Sequence, residues 1–114
     1  MKHTMRLNAQ PFDMIERGTK TIEMRLYDAK RRAIRIGDQI EFINLLDSNR
    51  HLYCTVVGVY VFASFKELYC KMPLLKCGYT EQDISTASYT DMEKYYTAEQ
   101  QREYGVVGIE VKVL

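Results

Sequence analysis

The sequence predicts an α+β fold: a small closed or nearly closed β-barrel with a helix after its first strand and a run of short helices before its last. Three observations carry this. Strand-like segments stand at both ends of the 114-residue chain, and pairing them with the strands between would remove exposed edges. A helical pattern follows the first strand directly. Residues 64–104 then hold several helix starts and no strand, so the regular strand–helix alternation of a doubly wound parallel sheet is missing.

Met5-Arg6-Leu7 reads as a short strand. Asn8 is placed to cap a helix over Ala9 to Arg17, with Pro11 in its first turn, an apolar side of Phe12, Met14 and Ile15, and Gly18 at its end. Lys20 to Leu26 follows as a strand. A basic connection through Asp28 and Arg32 leads to the turn Ile36-Gly37-Asp38, and Gln39 to Asn44 is the next strand. Leu45 to Arg50 is turn-like. Leu52 to Phe62 is a long β-branched run in which Gly58 marks a bulge or bend. Ser64 caps a short helix stopped by Pro73, and Thr80, Thr90 and Thr97 each open a further helical turn. Gly105 breaks that stretch, and Val106 to Leu114 closes the chain as an apolar strand.

A chain of this length suits one domain, residues 1–114. Its 46% hydrophobic and 27% charged residues are those of a globular protein, not a disordered one. No segment approaches the run of about 18 apolar residues that spans a bilayer, and the first residues carry no signal-peptide core, so a cytoplasmic location is expected. Cys54, Cys70 and Cys77 form no Cys-x-x-Cys pair, and His3 and His51 lie far apart, which argues against a metal site. Packing is the expected role of all three cysteines. Without a Gly-x-Gly-x-x-Gly loop, a P-loop or a Gly-x-Ser-x-Gly elbow, no cofactor is expected.

The net charge of +1 selects no partner, but its distribution is uneven. Residues 1–57 carry 10 basic against 7 acidic side chains, and residues 58–114 carry 6 against 8. Lys30, Arg31, Arg32 and Arg35 concentrate the basic excess, which can steer phosphate; the alternative is a solvated charged face. Nine Tyr and no Trp are also a bias. Tyr95 and Tyr96 can supply base stacking worth about 1–3 kcal/mol, although on a helix neighbouring side chains diverge and at most one of them would face a cleft.

The most informative segment is Gly18-Thr19-Lys20-Thr21-Ile22-Glu23-Met24-Arg25. On a strand Glu23 and Arg25 share one face, and Lys20 joins them only from an irregular turn after Gly18. A surface Glu23–Arg25 pair with a solvated Lys20 is the plain structural reading.

Gly18, Lys20, Glu23 and Arg25 match Gly-x-Lys-x-x-Glu-x-Arg, the hallmark of the ASCH domain. Ile36-Gly37-Asp38-Gln39-Ile40 and Tyr104-Gly105-Val106-Val107-Gly108-Ile109 follow in the order that family shows. The chain thus resembles a small stand-alone bacterial-type member of this PUA-like family from about residue 5 onward. The resemblance implies a cleft between the first helix and the barrel that accepts RNA, a nucleotide or a modified nucleoside. Gly18, Lys20, Arg25, Lys30, Arg31, Arg32, Tyr95 and Tyr96 are then the candidate ligand contacts. The alternatives that it carries are an amidohydrolase deacylating acetylcytidine, a ribonuclease and a protein-interaction module. For the hydrolase, Lys20 would activate the nucleophile or serve as base, with a later glutamate, Glu81, as its partner. In the acetylcytidine hydrolases a threonine stands where Glu23 falls, and a carboxylate there works against a lysine base. Glu23 as base, with Lys20 and Arg25 stabilising negative charge, is the rival assignment. The sequence leaves the oligomeric state open.

Overall fold

The computed structural model describes residues 1–114. Five strands, β1 (Lys2–Leu7), β2 (Ile22–Leu26), β3 (Gln39–Asn44), β4 (His51–Phe62) and β5 (Val106–Val113), form one mixed sheet in the order β1-β3-β4-β5-β2. β1 pairs with β3 in parallel and every other pairing is antiparallel. The sheet curls into a half-barrel whose two edges, β1 and β2, share no ladder. Helix α1 (Ala9–Arg17) connects those edges in sequence and closes the concave side.

Each element has a local cause. The αL conformation of Gly18, with φ +81°, ends α1, and the Met14 carbonyl accepts from both Thr19 and Lys20 N–H. Asp28 caps a single turn, α2 (Ala29–Arg32), where the sequence suggested only a basic connection. In β4 the register with β5 shifts between Val56 and Gly58, the expected bulge. A side chain at Gly58 would collide with Tyr60 and Glu110, whose hydroxyl–carboxylate bond of 2.9 Å crosses that position. Ser64 caps α3 (Phe65–Lys71), and Thr97 caps α4 (Ala98–Tyr104) through a reciprocal box with Gln100.

Between α3 and α4 the chain makes three short 3-10 turns, Leu74–Lys76, Ile84–Thr86 and Tyr89–Lys94. Ser88 caps the last of them, not Thr90, and its box partner is Asp91. Thr80 gives only a turn closed by Asp83.

Alternation along the strands sorts the core into two layers. Phe12, Ile15, Ile40, Phe42, Val56 and Ile109 fill the concave side beneath α1. Ile22, Leu26, Phe65, Leu68, Met92 and Val106 pack the opposite face of β2 against α3 and the short turns. Because β2 is covered on both faces, the concave-side residue Glu23, opposite Ile109, is carried into the interior, and Arg25, opposite Val107, is partly buried. Cys54 and Cys77 are buried, but Cys70 is exposed on α3, which corrects its expected packing role. No helix is long and apolar enough to cross a membrane.

Candidate ligand-binding cleft

The hallmark residues meet at the seam between the two sheet edges. Lys20 precedes β2 in the irregular turn after Gly18, the one placement that brings it to the side of Glu23 and Arg25. Three contacts set that turn. Lys20 N–H donates to Met14, Thr21 N–H donates to the Lys76 carbonyl at 2.9 Å, and the Thr21 carbonyl accepts from Val111. Gly78, at φ +111°, lies against the lysine stem, and a Cβ there would stand 3.4 Å from Lys20 Cδ.

Glu23 is 4% exposed and Lys20 8%. Lys20 Nζ lies 2.8 Å from Glu23 Oε1, and Arg25 Nε donates to Glu23 Oε2 at 2.7 Å. Arg25 Nη2 then donates 2.9 Å to the Arg6 carbonyl on β1, so one guanidinium joins the two edges across the seam. Burial alone would raise the Glu23 carboxyl, but the charges and hydrogen bonds of Lys20 and Arg25 outweigh it and hold the group below its ordinary range. For Arg25, burial opposes the charge and the adjacent carboxylate reverses the balance, raising its pKa. The surface-pair reading therefore does not hold: Lys20 and Glu23 are buried, Arg25 is partly buried, and the triad carries net charge +1.

A cavity of about 250 Å³ opens on the triad, with Arg6, Asn8, Met92, Tyr95 and Tyr96 also on its walls. Both tyrosines line it, which corrects the expectation that at most one would. They sit where the 3-10 turn unwinds, not on a continuing helix. Tyr96 stacks on Phe65 at 5.7 Å, whereas Tyr95 is 57% exposed at the mouth. A second cavity of about 420 Å³ adjoins the first and shares Pro11, Lys20, Met24, Met92 and Tyr95 with it.

Other sequence candidates lie elsewhere. Glu81 is exposed and lines neither cavity, so the structure does not bring it to Lys20. Arg31 bonds Asp28 at 3.2 Å, and Arg32 lies over the Tyr27 ring and donates to the Tyr104 carbonyl; with Lys30 they stay off the cavity walls. Burial raises both the Cys54 and Cys77 thiols to about 11, so neither is a ready nucleophile.

Sequence reasoning missed Arg6 and Asn8. Arg6 is exposed on the rim and makes no salt bridge, and the Asn8 side chain makes no capping bond at all. The signal for Arg6 was its exposed place on an edge strand; only the seam contact through its own carbonyl reveals its closeness to Arg25.

A curled mixed sheet with this polar seam defines a PUA-like α+β domain. The ASCH domain model matches residues 5–114, and the chain belongs to that family. Over its full length it is similar to the crystal structure of the hypothetical protein PH0355, with 34% identity, all of both chains covered and a TM-score of 0.82. It is likewise similar to protein PF0455 of Pyrococcus furiosus, with 31% identity, 100% of this chain and 98% of that one covered, and a TM-score of 0.73. A variant of the ASCH protein of Zymomonas mobilis shares the fold at 12% identity, with 98% of this chain and 70% of that one covered and a TM-score of 0.68. No curated protein matches the chain.

Proposed function

We propose that the chain binds RNA or a modified nucleoside in this cleft, with acceptor atoms of the ligand on Lys20 and Arg25. The supporting observation is the double engagement of Glu23. Both of its oxygens are occupied, one by each cation, so it is committed to holding donors in place and is not free to take a proton. Beyond the bonds to Glu23 and the Arg6 carbonyl, the N–H groups of Lys20 and Arg25 have no protein acceptor, and an ammonium bound to a carboxylate lacks the lone pair that a nucleophile needs. Such a cluster binds a carbonyl, ring nitrogen or phosphate better than it attacks one. Tyr95 supplies an exposed aromatic face beside it, and Arg6 a free cation at the rim for backbone phosphate.

The test is an anisotropy titration of labelled single-stranded RNA, with acetylcytidine turnover assayed in parallel. Saturable binding that weakens about tenfold in Lys20→Gln, and weakens with salt less steeply in Arg6→Ala, supports the reading. Release of cytidine from acetylcytidine by the wild type, abolished in Lys20→Ala, would replace it with the amidohydrolase.

A further inference from the structure

The two cavities differ in chemistry, and Lys20 stands between them. Its stem passes Gly78 on the wall of the second, while its ammonium reaches Glu23 on the wall of the first. The first cavity presents donors from Arg6, Lys20 and Arg25. The second is bordered by Tyr69, Tyr79, Asp83 and Asp91, and its one further cation, Lys94, is exposed with Nζ over the Tyr95 ring at 5.5 Å.

Hydrogen-bond direction sharpens the contrast. The Tyr79 hydroxyl donates to Asp91 Oδ2 at 2.6 Å, and the Tyr69 and Tyr79 hydroxyls are 2.7 Å apart. A phenol has one proton. Since that of Tyr79 is spent on Asp91, the Tyr69 hydroxyl must donate to Tyr79. The relay therefore ends at a Tyr69 oxygen that can only accept. Burial and the bond to Asp91 raise the Tyr79 phenol, so the direction is fixed at working pH. Phosphate would meet acceptors and carboxylates here, whereas a neutral group bearing hydroxyl donors would find its complement.

We infer that the second cavity is a sugar subsite, taking the ribose hydroxyls of a nucleoside whose base lies on Lys20 and Arg25. The inference rests on the reading of the first cavity given above. Size agrees: 250 Å³ alone falls below the roughly 300–1,000 Å³ of small-molecule sites, and a ligand that extends past Lys20 reaches the adjoining 420 Å³.

Calorimetric titrations of the wild type and Tyr69→Phe test this, using the four ribonucleosides, acetylcytidine and their 2′,3′-dideoxy counterparts. Tyr69→Phe removes the terminal acceptor and leaves the Tyr79–Asp91 bond and the Ser88–Asp91 cap in place, and circular dichroism confirms its folding. The expected result is a ribose preference of about 5- to 10-fold in the wild type, the scale of one or two hydrogen bonds, that disappears in the variant. Equal affinity for ribo and dideoxy forms, or a preference that survives Tyr69→Phe, overturns the subsite while leaving the first cavity's role standing. A wild type that binds no nucleoside and no RNA overturns both.

Discussion

Glu23 holds two cations with its two oxygens, and replacing it exposes what that arrangement costs. Glu23→Gln leaves a buried Lys20 and a partly buried Arg25 without a counter-charge, and removing one partner of a buried pair such as Lys20–Glu23 typically destabilises by about 3–5 kcal/mol. Urea denaturation at neutral pH is expected to show a loss on that scale. Acid adds a second signature with a definite sign. A carboxyl held below its ordinary value of 4.5 in the folded protein stabilises the fold above that pH. The contribution fades as pH falls through the folded value. The stability gap between wild type and Glu23→Gln should therefore narrow from about pH 4.5 downward. Asp38, lowered to about 2 chiefly by its bond to His3, titrates in both proteins and cancels from the difference.

At the scale of elements, helix ends separate structural from ligand-facing residues. Asn8 precedes α1 in the sequence position of a cap, yet its side chain makes no cap bond and lies on the cleft wall. Thr97 does cap α4. We expect Thr97→Ala to cost about 1 kcal/mol and Asn8→Ala to stay within about 0.5 kcal/mol while weakening RNA binding. Thermal unfolding and the anisotropy titration together check both.

These cases also show how legible the elements were in the sequence. Strand and helix limits near Ala9, Arg17, Gln39 and Asn44 were readable because Gly18 and alternating apolar residues impose them locally. The 3-10 path through Tyr89–Lys94 was not, because it depends on Tyr79, a dozen residues earlier, reaching Asp91. Tyr95 and Tyr96 were misjudged for the same reason. Arg31 and Arg32 looked like a phosphate patch because sequence cannot reveal the Asp28, Tyr27 and Tyr104 contacts that engage them.

For the whole molecule, the decisive feature is the open seam. The family pattern made the barrel and the triad's membership readable, but the half-barrel with β1 and β2 unpaired is a matter of sheet order, which local patterns do not encode. Arg25 spans that seam with a fork that bonds Glu23 and the Arg6 carbonyl at once. Arg25→Lys keeps the charge but cannot reach both partners from one nitrogen. Amides of β1 and β2 should then exchange about tenfold faster with solvent, and those in the centre of β4 at an unchanged rate. Uniform acceleration would mean that the guanidinium stabilises the fold globally and does not hold the seam.

Chemical-shift mapping tests the cleft most directly. Single-stranded RNA and, separately, acetylcytidine are titrated into ¹⁵N-labelled protein and the perturbed amides placed on the fold. Perturbations centred on Lys20, Glu23, Arg25, Tyr95 and Tyr96, and lost in Lys20→Gln, are expected if this cleft holds the ligand. Perturbations centred on the outer face of β4, on α2, or on no residue would contradict it.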